Sequence, residues 1–198
     1  MSAIVLASAS EARATMLRAA GVAVETMPAR IDEAMVKAAL LAEEAPPRDI
    51  ADKLAELKAL RVSARCPGRL VIGADQVLVC EGKLFDKPPT REAAREQLCA
   101  LRGQTHRLLS AAVIARDGAP IWRHVGQAQL AMRPFTDAFL DQYLDAMGDA
   151  VTTTVGAYML EGLGSQLFAR VQGDYFTVLG LPLLEVLGFL RAQGMLVE

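Results

Sequence analysis

The chain has 198 residues, with 21 Lys plus Arg against 23 Asp plus Glu, a formal net charge of −2, and 53% hydrophobic against 22% charged residues. That balance excludes a disordered chain, which combines low hydrophobicity with high charge. It also argues against a nucleic-acid binder, because phosphate neutralisation calls for a surplus of Lys and Arg.

The length fits one domain, or two small lobes sharing a cleft, and is enough to fold without a staple. Cys66, Cys80 and Cys99 are odd in number and widely spaced. They match neither a disulfide framework nor a zinc pattern, so a reducing, cytoplasmic home is expected. Met1 to Ala9 has no basic region of the secretory type, and Glu11 and Arg13 interrupt the apolar run. No stretch approaches the roughly 18 apolar residues of a membrane span, so no membrane partner is expected.

Ala3 to Ala7 is a short apolar run of the buried-strand kind. The turn-like Ser8-Ala9-Ser10 leads into a helix that carries Met16 and Leu17 and stops at Gly21. Val22 to Met27 alternates and reads as a second strand. Asp32 to Glu44 and Arg48 to Ala64 read as helices, separated by Pro46-Pro47. The second of them places Ile50, Leu54, Leu57 and Arg61 on one face. Leu70 to Cys80 is the most strand-like segment, and Glu81-Gly82 turns it into Lys83 to Phe85. Thr90 caps a helix that ends near Leu101 at Gly103. Leu108 to Ala115 and Ile121 to Met132 read as strands joined by the hairpin dipeptide Asp117-Gly118. Thr136 to Ala146 is helical. Gly-rich loops surround Val155 to Tyr158 and Glu161 to Leu167. Asp174 to Leu179 reads as a strand, and Leu181 to Gln193 as a final helix with Pro182 near its first position. Strands and helices interleave throughout, which gives an α/β or mixed α+β class.

A few polar residues break this pattern. The strand-to-helix passage at Ser8 to Arg13 presents free N–H groups and a positive dipole end, the makings of an anion site with Ser8, Ser10 and Arg13. The same residues also fit a capping box, Ser8-x-x-Glu11, with Arg13 solvated. Lys58 lies on the flank of its helix's apolar face, either snorkelling to water or aimed into a cleft. Asp75, followed by Gln76, sits inside an otherwise buried strand, where a lone carboxylate needs a cation, a metal or donors. Gly73 just before it permits close backbone approach. Pro88 holds Lys87 extended. Asp32-Glu33 is either a dipole-favoured acid pair at a helix start or a pair of metal ligands. His106 and His124 pair with no nucleophile, and no phosphate-binding G-x-x-x-x-G-K-[ST] or G-x-G-x-x-G motif occurs. Several cations, one strand carboxylate and a helix N-terminus suit a polyphosphate with a divalent metal.

The ordered set Leu6-Ala-Ser-Ala-Ser-Glu-Ala-Arg13, Ile31-Asp32-Glu33, Leu57-Lys58-Ala59, Ile72-Gly-Ala-Asp-Gln-Val77, Lys87-Pro88, Glu161-Gly162 and Gly180-Leu-Pro-Leu183 resembles the Maf family. The resemblance covers nearly the whole chain. It implies one domain of two lobes around a cleft, the Maf/inosine-triphosphatase-like fold with a central mixed sheet, often dimeric, so that a homodimer is an open expectation. It implies a nucleoside triphosphate substrate, cleaved to the monophosphate and pyrophosphate with Mg²⁺ or Mn²⁺. Carried over by position, Asp75 is the catalytic carboxylate, Glu33 an acid of the cleft, and Ser8, Arg13, Lys58 and Lys87 handle phosphates, while Gln76 and Glu161 bear on the base. Ser10 is expected to join the phosphate-binding residues at the helix start, and Asp75 and Glu33 to be the oxygen ligands of the metal. The family commonly has Pro-Arg-Arg after the second serine, where this chain has Glu11-Ala12-Arg13. The branch that prefers dTTP and UTP carries an arginine at the position of Ala12, Thr at 76 and Gln at 161. Gln76 and Glu161 instead look like the branch acting on 7-methyl-GTP, although that branch tends to have Trp at the position of Ala12. Other readings stay open beside this one. They are a non-catalytic nucleotide-binding protein linked to cell division, a pyrophosphatase preferring dTTP, UTP or CTP, and a small-molecule phosphatase that would release orthophosphate.

Overall fold

Most of the apolar runs become strands and most of the amphipathic runs become helices in a computed structural model that describes residues 4–197. Of the expected first strand, Ala3 lies outside the described residues. The order is β1 (Ile4–Leu6), α1 (Glu11–Ala19), β2 (Val24–Thr26), α2 (Glu33–Ala42), α3 (Pro47–Ser63), β3 (Val71–Cys80), β4 (Lys83–Phe85), α4 (Arg91–Leu101), β5 (Thr105–Arg116), β6 (Ala119–Met132) and α5 (Asp137–Met147). Short 3₁₀ turns follow, then β7 (Phe168–Gln172), α6 (Tyr175–Val178) and α7 (Leu183–Ala192). The strands form one mixed seven-stranded sheet in the order β2-β1-β3-β5-β6-β7, with β4 on β3. β1 runs parallel to both β2 and β3, whereas β3–β4 and β6–β7 are antiparallel. The mixed α/β class expected from the sequence is the one adopted.

The chain divides into two compact units. The first comprises the described residues of Met1–Gln76, Leu109–Gly126 and Asp174–Glu198. Its short strands read as unbroken apolar runs because both faces are covered. Ile4 and Leu6 of β1 and Ile72 and Ala74 of β3 pack with Leu17 of α1 and Val186 and Leu190 of α7. Val5, Ala7 and Val71 point the other way, against Val62 and Cys66. The period of two that separates these sets also puts residues 71, 73 and 75 on the face toward α3.

The buried side of α3 comprises Ile50, Ala51, Leu54, Ala55, Lys58, Ala59, Val62 and Ser63. It is rotated from the face expected by periodicity: Arg61 is exposed, and Leu57 is only half-buried. The column of small alanines decides this, because it lets β3 come against the helix at Gly73. A Cβ on Gly73 would lie 2.1 Å from the Ala55 carbonyl oxygen and 2.6 Å from the Ala59 nitrogen. By contrast α2, for all its apolar composition, has no buried residue, and Met35 and Leu41 are exposed.

The second unit, Val77–Leu108 with Gln127–Gly173, holds β4, α4, α5 and β7. Its buried polar residue is His106 on β5, whose Nε2 lies 2.7 Å from the Tyr158 hydroxyl. The imidazole packs against the rings of Tyr158 and Phe168, which also meet each other edge to face. Tyr143 donates its hydroxyl to the Ala157 carbonyl at 3.1 Å.

Two segments differ from the sequence reading. Asp174 to Leu179 is not a strand: residues 175–178 form α6, because Asp174 caps it by accepting the Thr177 N–H at 2.7 Å. Gly173 and Gly180 bracket the turn with φ of +115° and +103°, which ends extended pairing on both sides. The strand in this region is instead β7, pairing antiparallel with β6. It is exposed along nearly its whole length, so it lacks the alternation that marks a half-buried strand.

Candidate active site

Asp75 is placed by alternation along β3 on the side of α3, two residues beyond the close contact at Gly73. There its Oδ1 accepts a hydrogen bond from the Lys58 ammonium at 2.7 Å. Both residues are only 7% exposed, so Lys58 does not snorkel to water. Glu33, the first residue of α2, reaches the same ammonium at 3.0 Å. Burial pushes the Asp75 carboxyl above its ordinary value, and the charges of Lys58 and Arg13 oppose that rise. Oδ1 is committed to Lys58, leaving Oδ2 as the oxygen open to a further partner.

The second assembly starts at the N-terminus of α1. Ser10 is the N-cap, accepting the Arg13 N–H at 3.4 Å. The cap is therefore not Ser8, as a capping box with Glu11 would require; Glu11 is exposed and pairs with Arg18. Ser8 is buried and accepts from the Ser10 N–H at 3.2 Å and from Arg13 Nη1 at 3.1 Å, which leaves its hydroxyl hydrogen to donate. Arg13 is mounted on three groups: Ser8 Oγ, the Ala74 carbonyl at 3.2 Å and, through Nε, the Gly180 carbonyl at 2.7 Å. Burial draws its pKa down while Asp75 and Glu33 draw it up. A guanidinium stays charged through such shifts.

Gln76 directs its side-chain amide at Ser110 and at the carbonyls of Thr177 and Val178. The first unit thus gathers Ser8, Ser10, Arg13, Glu33, Lys58, Asp75 and Gln76. Lys87, just after β4, and Glu161, in the turns before β7, are both exposed and belong to the second unit.

Among the described residues no group of three or more His, Cys, Asp or Glu gathers to hold a metal. Two carboxylates beside the cations Lys58 and Arg13 suit the other mode of binding. Mg²⁺ keeps several waters and takes only one or two protein carboxylates beside substrate phosphates. Asp75 and Glu33 fit that donor set. No helix among the described residues is long and apolar enough to cross a membrane.

Residues 3–193 match the family of Maf-like proteins. The chain belongs to the Maf family. Relatives of this Maf protein carry the name nucleoside triphosphate pyrophosphatase. One from Paramagnetospirillum magneticum is 58% identical over 192 residues, which is 97% of this chain and 99% of the relative. Another from Caulobacter vibrioides is 54% identical over 98% of this chain and 96% of its own length. A third, from Roseobacter denitrificans, is 56% identical over 96% of each. Two parts of this candidate site are not among the residues expected from the sequence: Ser110, and Thr177 and Val178 in the turn that leads to the motif glycine Gly180. A serine inside the apolar run of β5 was the available signal, since a buried hydroxyl requires a partner.

Proposed function

We propose that this protein is a cytoplasmic nucleoside triphosphate pyrophosphatase that hydrolyses its substrate to the nucleoside monophosphate and pyrophosphate. The observation that carries the reading is the buried Asp75–Lys58 pair, joined at the same ammonium by the exposed Glu33, beside the mounted Arg13. In it two cations and two carboxylates cancel. Such a cluster has no surplus positive charge of its own for a polyphosphate, which is why a divalent cation, Mg²⁺ or Mn²⁺, belongs in the proposal. Asp75 and Glu33 would hold it, and when bound it would supply Lewis-acid neutralisation of phosphate oxygens.

The chain's own residues do the rest. Asp75 accepts a proton at Oδ2 from the attacking water, its Oδ1 being held by Lys58. Ser8 donates its hydroxyl, and Arg13, Lys58 and Lys87 neutralise charge growing on the pyrophosphate leaving group. Ser10 fixes the first turn of α1, whose free N–H groups favour phosphate. Glu161 sets the base: its carboxylate accepts from guanine N1–H and N2–H₂ and favours a cationic methylated ring, so 7-methyl-GTP is the proposed substrate. With Ala12 offering no stacking surface, the competing preference is dTTP, UTP or CTP. A homodimer is the proposed assembly.

The test is pyrophosphate release from 7-methyl-GTP, GTP, UTP, dTTP and CTP, with Mg²⁺, with Mn²⁺ and with chelator. Asp75→Asn is expected to lower kcat by about 10²–10⁴-fold, the range for a removed general base, with nucleotide binding retained. Full activity in that variant refutes the role of Asp75, and release of orthophosphate refutes the reaction.

A further inference from the structure

We propose that Gln76 is a positioning residue that works through Arg13, by fixing the turn whose carbonyl carries the guanidinium. The inference rests on reading Arg13 as a phosphate-handling group. Gln76 Nε2 lies 2.9 Å from Ser110 Oγ, 3.1 Å from the Thr177 carbonyl and 3.0 Å from the Val178 carbonyl. Ser110 Oγ donates to the same Thr177 carbonyl at 2.7 Å. The amide orientation is dictated by these acceptors, because turning it over would set Oε1 against two carbonyl oxygens.

The path onward is short. The Thr177 carbonyl that Gln76 and Ser110 hold also accepts the Gly180 N–H at 3.1 Å. The Gly180 carbonyl in turn accepts Arg13 Nε at 2.7 Å. The turn is backed from the other side as well, since a Cβ on Gly126 would come within 2.7 Å of Thr177 Oγ1. Gly180 has a φ of +103°, and a Cβ there would stand 3.4 Å from the guanidinium. Three consecutive residues of β3 therefore serve one charge array: Ala74 lends its carbonyl to Arg13, Asp75 holds Lys58, and Gln76 secures the turn. A planar guanidinium fork needs its orientation set to meet phosphate oxygens, so the mount governs transition-state contacts, in place of the part in base choice that the family resemblance implies for Gln76.

The experiment has two readouts. The first is solvent exchange of the Arg13 Nε–H by NMR in the wild type, Gln76→Met and Ser110→Ala, the resonance being assigned from its loss in Arg13→Lys. The second is kcat/KM across the nucleotide panel in a cycle of Gln76→Met with Arg13→Ala. Exchange is expected to quicken on the order of tenfold in Gln76→Met and less in Ser110→Ala, in line with loss of a buried hydrogen-bonded anchor. In the same variant kcat/KM falls on the order of tenfold for every base alike, and the loss shrinks below about twofold once Arg13 is alanine, the mark of coupled residues. Unchanged exchange, an altered base ranking, or an undiminished loss in the Arg13→Ala background overturns the proposal. If Gln76→Met does not fold, Ser110→Ala enters the same cycle with the same criteria. Should Arg13→Ala itself keep wild-type activity, the reading of Arg13 fails, while the exchange measurement still decides whether Gln76 holds its mount.

Discussion

Asp75 and Lys58 hold each other 2.7 Å apart with almost no water on either side. Removing one partner of such a pair leaves the other as an uncompensated buried charge. The proposed chemistry requires Asp75 ionised, and burial lifts its pKa above the ordinary 3.8 while Lys58 and Arg13 pull it back. Turnover is therefore lost as pH falls through that raised value, so the acid limb of kcat/KM lies higher than an ordinary Asp carboxyl would put it. Replacing Lys58 by Met removes the nearest opposing charge and shifts the limb upward by about one unit, within the span that one neighbouring ion commands. A pH–rate profile checks both statements, and a limb that stays put in Lys58→Met contradicts them. Asp75 was legible in the sequence because a carboxylate inside LVIGADQVLV has few bland explanations. Lys58 was legible only through the family resemblance, since the position of a lysine on the flank of a helix face is equally met by snorkelling.

Between elements, the contact of β3 with α3 at Gly73 brings those two residues into register. An alanine there would drive its Cβ into the Ala55 carbonyl and the Ala59 nitrogen, both backbone atoms that cannot swing away. Gly73→Ala is expected to destabilise the protein by about 3 kcal/mol or more, at the upper end of overpacking costs. The urea midpoint measures this, and a change under about 0.5 kcal/mol, ordinary for a surface substitution, would dismiss the contact. Strands β3, β5 and β6 could be read from their apolar or alternating runs. By the same logic the apolar stretch at 175–179 imitated a strand, and only its Asp174 cap and flanking glycines, which fix the local backbone, made it α6. The mount of Arg13 on Gly180 joins residues 167 positions apart, beyond the reach of any local pattern.

At the scale of the whole molecule, sensitivity to acid comes in part from one buried imidazole of the second unit. Desolvation lowers the pKa of His106 from 6.5 to about 4, and its Nδ1 has no hydrogen-bond partner. The unfolded chain takes up this proton near 6.5 and the folded chain only near 4. Between those values the unfolded state binds more protons, so stability falls as pH drops through the window, by on the order of 3 kcal/mol in full. Urea unfolding near pH 7 and near pH 4.5 is expected to show the loss, and His106→Gln to show a smaller one. Equal losses in both proteins would remove His106 from the account. Neither its burial nor its Tyr158 partner could be read from its place near the end of an expected strand.

The bare helix α2 bears on how the Lys58 ammonium would meet a phosphate. No residue along that helix is buried, and its first carboxylate reaches inward to Lys58. Segments with so few apolar anchors detach at small free-energy cost. On the proposed reading Glu33 is consequently a carboxylate that can change partner: it can leave the Lys58 ammonium to an arriving phosphate and turn to the cation it is proposed to hold, while the interior beneath does not stir.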